Sequence, residues 1–253
     1  MADALLQIDK LSKRFGGVTA SDAISLEVPA GELHAVIGPN SAGKTTLIGQ
    51  LAGEIAPDAG RIRFSGHDVT DLPGWRRSQI GLARSFQITS LFLDFTALDN
   101  VALAVQAHAG HSFRFWRDAR SEAALREPAR AALARVGLAA RADVVVSRLS
   151  HGEHRQLEIA MALATRPRLL LLDEPMAGMG PDESVRMVAL MRELKRDHTV
   201  LLIEHDMEAV FALADRITVL VYGRVIASGA PDTIRANAEV RQAYLGEQEQ
   251  RHG

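Results

Sequence analysis

The apolar residues of the chain fall into short dense runs separated by glycine-marked turns. "LLQID" (5–9) and "ISLEV" (24–28) read as short strands. "ELHAVIG" (32–38) reads as a strand running straight into a glycine-rich turn. "AGKTTLIGQLAG" (42–53) then has helical spacing and stops at a C-capping glycine. "GRIRFSG" (60–66) alternates between glycines as an exposed strand does. From Thr96 to about Val136 the chain turns alanine-rich and helical, with few β-branched runs. Further on, "RLLLLDEP" (168–175), "HTVLLIEH" (198–205) and "RITVLVYG" (216–223) are buried-strand candidates. They alternate with helices near 181–196 and 206–214, which predicts a parallel α/β core. The helical stretch 96–165 is then an inserted lobe, and only the last residues, "GEQEQRHG", look frayed.

The helix "LSHGEHRQLEIAMALA" (149–164) has an odd start. Ser150 and Glu153 form an S-x-x-E capping box, followed by the apolar Leu157, Ile159 and Met161. Gly152, however, lies in the first turn, where glycine costs about 1 kcal/mol relative to alanine. One physical reason is close approach of an anion to the unpartnered first-turn amides.

Composition narrows the class without naming a chemistry. At 253 residues, 47% hydrophobic and 24% charged, the chain has the make-up of an ordinary globular protein with a substantial core. The formal net charge of −2 gives no global argument for nucleic acid or an acidic membrane as partner. Only 4 of the 29 basic residues are lysine. The absence of cysteine excludes disulfides and thiolate metal sites and fits a reducing compartment. The longest apolar runs, such as "LLLL" (169–172), are far too short to span a bilayer. No cationic n-region precedes an apolar h-region, so no signal peptide is expected.

"GPNSAGKT" (38–45) fits G-x-x-x-x-G-K-[ST], after a predicted strand and before a predicted helix. Its amides can wrap phosphate oxygens, Lys44 can reach the β and γ phosphates of a nucleotide, and Thr45 can offer a hydroxyl to Mg²⁺. An ordinary glycine-rich turn is the bland alternative, and the flanking strand and helix favour the phosphate loop. Asp173 and Glu174 close the apolar strand "LLLLDEP"; there Asp173 would hold Mg²⁺ through its water shell and Glu174 would face the attacking water. Any strand can end in a solvated carboxylate pair, so this motif gains its force from the loop.

With these residues in place the chain resembles the ATP-binding cassette ATPases. "LSHGE" is similar to that family's signature motif, Ser150 standing 23 residues before Asp173. The resemblance implies an α/β P-loop NTPase core with a mainly parallel sheet, an N-terminal antiparallel β subdomain and an inserted α-helical lobe. It implies one domain over 1–253, with the core and β subdomain at about 1–95 and 166–253 and the lobe at 96–165. It also implies a head-to-tail dimer in which one subunit's signature helix faces the γ-phosphate held by the other's loop. Gly152 would then allow close approach, Ser150 would donate its hydroxyl, and Glu153 would stand at the same site. Phe15 in "KRFGGV" matches the aromatic that stacks on adenine, with Val18 beside it. The loop contributes Gly38, Pro39, Asn40, Ser41, Ala42, Gly43, Lys44, Thr45 and Thr46 to nucleotide binding. Gln87 matches the glutamine that contacts Mg²⁺ near the membrane partner, and His205 the histidine that contacts the γ-phosphate. The expected catalytic set is Glu174, His205, Gln87 and Lys44; the expected metal contacts are Thr45, Gln87 and Asp173.

"KRFGGV", "FQITSLF", "RQLEIAMALA" and "IEHDM" are further similar to ATPase subunits of branched-chain amino-acid importers. The implied partners are permease subunits, a second ATPase subunit and, indirectly, a solute-binding protein, with no nucleic acid. The implied place is the cytoplasmic face of the plasma membrane, and the apolar Ile88, Leu91 and Phe92 are expected to be partly exposed there. The chain departs from the common pattern at three places: Ser41 replaces a glycine, His151 and Glu153 replace the usual signature Gly and Gln, and Gly180 replaces an aspartate. A positive φ at Ser41 would be strained. His151 and His154 lack an evident third metal ligand. The basic aromatic "HSFRFWRDAR" (111–120) reads as a helix packing its aromatics into the lobe or as an interfacial element. Two rival functions share these motifs: a soluble cassette ATPase in a non-transport process, and a non-hydrolysing nucleotide sensor. Intact Lys44, Asp173, Glu174 and His205 argue against the sensor.

Overall fold

A computed structural model describes residues 4–85, 91–109 and 123–243. The chain divides into two units, the first of Met1–Arg77, Leu171–Glu174 and Met191–Gly253. In it, β1 (Ala4–Phe15) and β2 (Val18–Pro29) form an antiparallel hairpin. Both strands run well past the apolar segments 5–9 and 24–28, because the ladder continues through polar residues to the tip, where Phe15 pairs with Val18. With β4 (Ala59–Phe64) and β5 (His67–Asp68) they make a four-stranded antiparallel sheet in the order β2-β1-β4-β5. Ile62 and Phe64 of β4 point into the core while Arg61 and Arg63 face out, the alternation visible in the sequence.

The second sheet of this unit is built around β3 (Leu33–Ile37), which pairs in parallel with β8 (Thr199–Ile203) on one side and β9 (Arg216–Val221) on the other. β10 (Arg224–Gly229) adds an antiparallel edge. The end of β7 (Leu169–Asp173) lies beside β8, where the Glu174 N–H donates to the Ile203 carbonyl at 2.9 Å. Every residue of β3 and β8 is buried, which is why their sequences are largely apolar; the buried His34 of β3 is hydrogen-bonded to Thr218 at 2.8 Å. Helix α1 (Lys44–Ala52) follows β3 and stops at Gly53, whose φ of 79° makes it a left-handed C-cap. Arg77, in the short α2 (Gly74–Gln79), is almost wholly buried and donates to the carbonyls of Gln50, Leu51, Thr70 and Leu72 at 2.7–2.8 Å. It thereby satisfies the orphan carbonyls at the end of α1, a role with no periodic signal in the sequence.

The second unit comprises Ser78–Leu170 and Pro175–Leu190, more than the helical stretch 96–165. It holds β6 (Leu82–Arg84), α3 (Ala97–Ala109), α4 (Ala123–Arg135), α5 (His151–Leu163) and the first turns of α6 (Pro181–Leu194). α3, α4 and α5 pack together, and their Leu98, Val101, Leu125, Leu133, Leu157 and Met161 are buried. The chain closes with α7 (Met207–Leu213), capped by Asp206, and α8 (Pro231–Ala236), both in the first unit.

Glu158 of α5 is 1% exposed, with Arg155 Nη1 3.0 Å from its Oε2. Burial raises its pKa above the ordinary value of 4.5, and the attraction of Arg155 only partly offsets this. The protonated form is therefore favoured by folding. That stabilisation is complete below pH 4.5 and is lost as pH rises through the raised folded value. Glu158→Gln, neutral at every pH, should therefore gain stability relative to the wild type as pH rises from 4.5 to 7.5. Thermal melts should show that gain shrinking as pH falls towards 4.5. A gain that grows on acidification would contradict the raised pKa.

Candidate functional site

The phosphate loop grows out of the buried end of β3. Gly38 is packed so tightly that a Cβ on it would lie 2.2 Å from the Leu220 carbonyl oxygen. The loop then turns through Ser41, whose φ of 64° lies in the left-handed region that favours glycine, so the serine is strained there. Gly43, at φ 99°, is the N-cap of α1, and a Cβ there would come within 2.1 Å of the Ala20 carbonyl oxygen. No side chain caps the helix at this point, so its first-turn amides are left for an anion. Lys44 is only 7% exposed and lies back along the loop, its Nζ donating to the carbonyls of Gly38 at 2.6 Å and Pro39 at 3.0 Å. Asn40, Ser41 and Thr45 are exposed, Pro39 and Thr46 half-buried, and Ala42 buried. The turn at Tyr222–Gly223 buttresses the loop from outside: Gly223 N–H donates to the Ala42 carbonyl at 2.9 Å, and Gly223 O accepts from Asp22 N–H at 2.8 Å.

The carboxylates and the histidine gather at the ends of β7 and β8. Asp173 is the last residue of β7 and half-buried. Glu174 follows in a left-handed conformation, φ 47°, which costs a non-glycine residue of order 1–3 kcal/mol. His205 comes two residues after the end of β8, with its Nδ1 3.9 Å from Glu174 Oε1 and 3.9 Å from Glu204 Oε2. Glu204, fully buried, accepts from the His205 N–H at 3.1 Å. Glu204 has no signal in the sequence, because a lone acid before a histidine forms no motif. Phe15 lies half-exposed at the β1–β2 tip, paired with the exposed Val18, and Lys13 Nζ is 5.5 Å from its ring centroid. A ring presented this way can stack on a planar ligand.

In the second unit, the start of α5 has the predicted capping box. Ser150 Oγ accepts from Glu153 N–H at 3.2 Å, and Ser150 N–H donates to Glu153 Oε2 at 2.8 Å. The Glu153 carboxylate is also held by Arg141 at 2.8 Å, so it braces Ser150. The missing side chain of Gly152 has a neighbour the sequence did not suggest. A Cβ there would meet Glu183 Oε1 at 2.7 Å, and the Ser150 hydroxyl lies 3.3 Å from the same atom. His151 and His154 bond the carbonyls of Ala177 at 3.0 Å and Val146 at 2.8 Å. A Cβ on Gly180 would meet nothing within 4 Å.

Gln87, with Ile88, lies outside the described residues, as does the basic aromatic stretch 111–120. Of the apolar residues expected at the surface beside them, Phe92 is 53% exposed but Leu91 is buried at 7%. Leu91 is a correction: the backbone beyond it is turned by Asn100, which exchanges hydrogen bonds with both the N–H and the C=O of Phe92, leaving Leu91 inside.

Comparison with known proteins supplies what geometry alone does not. Residues 21–177 match the family model described as ABC transporter, and residues 224–250 one described as branched-chain amino acid ATP-binding cassette transporter. The chain belongs to the ABC transporter family. It is one of that family's ATPase cassettes and energises transport. It is 40% identical to the high-affinity branched-chain amino acid transport ATP-binding protein BraF of Pseudomonas aeruginosa, over 98% of this chain and 100% of that one. It is 39% identical to LivG of Escherichia coli K12, again over 98% and 100% of the two chains. Among solved structures, an ATP-binding cassette of an ABC transporter in its ADP conformation superposes with a TM-score of 0.86. That cassette is 28% identical, with 97% of this chain and 100% of the other covered. The cassette fold expected from the motifs, with its antiparallel β subdomain and parallel core strands, is therefore correct.

Proposed function

We propose that this cassette hydrolyses ATP to drive an importer of branched-chain amino acids or related small solutes, docked on permease subunits at the inner face of the plasma membrane. The observation that carries the ATP-site assignment is the side-chain-uncapped start of α1 with Lys44 in its first turn. Lys44 would exchange the carbonyls of Gly38 and Pro39 for the β and γ phosphates, an anionic partner being the stronger one for an ammonium. Glu174 would accept a proton from the water attacking phosphorus in line with the departing ADP oxygen, and His205 would hold the γ-phosphate. Phe15 would stack on adenine. The exposed Thr45 hydroxyl and the Asp173 carboxylate are hard oxygen donors that fit Mg²⁺. Among the described residues no three His, Cys, Asp or Glu side chains cluster as a metal site, consistent with a cation that takes most of its ligands from phosphate and water. Mg²⁺, when bound, neutralises charge developing on the phosphates.

Two such chains would bind two ATP head to tail, Ser150 and Gly152 of each meeting the γ-phosphate on the other. Among the described residues no helix is long and apolar enough to cross a membrane, so attachment would run through the permease. Phe92 and Leu93, about half exposed, are the apolar residues offered for that contact. The branched-chain assignment is supported by the C-terminal family match and by the names of the relatives. Purification from detergent-solubilised membranes should recover permease chains with this subunit, and Lys44→Ala should abolish branched-chain amino-acid uptake by the same complex. Recovery without any membrane protein would favour the soluble-ATPase alternative and overturn the reading.

A further inference from the structure

One carboxylate bridges the starts of two helices in the second unit. Glu183 Oε2 accepts from the Gly180 N–H at 3.4 Å, in the manner of a capping-box acid closing the start of α6. Its Oε1 lies 3.3 Å from the Ser150 hydroxyl and over Gly152, in the space a side chain there would fill. The two helix starts converge on this group, and both favour negative charge. Ser150 is held on both sides, its oxygen accepting from Glu153 N–H while its hydroxyl faces Glu183. The lining of the adjoining cleft, about 390 Å³, includes Ser150, Gly152, Glu183 and Arg186.

We propose that Glu183 is a resident anion that holds the phosphate-sensing end of α5 until ATP on the facing subunit displaces it. The inference rests on the reading that Ser150 and Gly152 meet a γ-phosphate in trans. An incoming phosphate and the Glu183 carboxylate cannot share this position, both because the space over Gly152 is filled and because like charges at contact repel. Displacement costs the hydrogen bond to Ser150, and Arg186, three residues along α6, offers the released carboxylate a cation on the same helix face. Glu183 thus acts as a positioning residue that sets the threshold for ATP-driven closure of the dimer. Without ATP, it holds the Ser150 hydroxyl and fills the space over Gly152.

The two roles of Glu183 predict effects of opposite sign, and this separates them. Glu183→Gln keeps the shape and removes the charge, while Glu183→Ala empties the space. Each should lower the thermal midpoint slightly. In a Glu174→Gln background with ATP and Mg²⁺, each should nevertheless tighten the dimer by about five-fold, read as its dissociation constant by sedimentation over a range of protein concentrations. With ADP neither should dimerise. A dimer that is no tighter in either variant, whatever the parent does, overturns the proposal and leaves Glu183 as a structural cap. Failure of the underlying reading looks different: the tightened dimer of Glu183→Gln would then survive Ser150→Arg, which should otherwise abolish it.

Discussion

Glu174→Gln should lower steady ATP turnover by about 10³-fold, the range lost when a positioned general base is removed. The amide has the same shape as the carboxylate but cannot take a proton from water. It also removes negative charge from the neighbourhood of the γ-phosphate, so ATP should be held longer. Gln is the right replacement because residue 174 has a φ of 47°, and a glycine there would relax the backbone as well as delete the base. Thermal stability should stay near that of the wild type, since the strain at this position is common to both side chains. With ATP and Mg²⁺ the variant should run as a dimer, and as a monomer with ADP or without nucleotide. Adding Ser150→Arg should abolish the dimer while each monomer still binds ATP, because the larger side chain fills the close-approach site. Turnover within ten-fold of the wild type would remove Glu174 from the role of base. A dimer that survives Ser150→Arg would remove the signature helix from contact with phosphate.

Gly38→Ala should be a strongly damaging substitution although it adds only a methyl group to the loop. The added methyl would lie 2.2 Å from the Leu220 carbonyl oxygen and 3.0 Å from the Ala42 Cβ. The first of these is backbone in β9 and the second belongs to the loop itself, so neither can swing away as a side-chain tip could. Overpacking at such a site costs about 3 kcal/mol, a fall of roughly 10 °C in Tm for a chain of this size. The shift in the loop should also weaken ATP binding at least ten-fold, since the α1 amides and Lys44 follow directly. Gly180→Asp is the matched control. There a Cβ meets nothing within 4 Å, so Tm should move by no more than about 2 °C. Calorimetry on the two proteins settles both outcomes, and equal melting points would show that the close packing of Gly38 carries no energy.

The order of elements and the phosphate loop were legible because both are written in local pattern. A buried strand such as β7 shows as a continuous apolar run, its first four residues all leucine, and a loop that wraps phosphate needs glycine, lysine and a hydroxyl at set spacing. The capping box at Ser150 and Glu153 was equally visible, because its two hydrogen bonds join residues three apart. The length of β1 and β2 was not, since their outer halves are polar and are held as strands by ladder bonds to each other. The burial of Leu91 escaped for a similar reason: Asn100, nine residues later, decides where the backbone turns.

By itself the sequence determined the P-loop cassette family, the nucleotide chemistry and the residues at the ends of the core strands. These are properties of short segments and of the residue types that phosphate requires. Tertiary structure alone decided what three of the glycines make room for: Gly38 packs against Leu220, Gly43 against Ala20, and Gly152 against Glu183, partners 182, 23 and 31 positions away in the numbering. It likewise placed Glu204 behind His205 and Arg77 under the end of α1. An absent side chain carries no signal of what fills its space, because close approach is a relation between segments that meet only when the chain has folded.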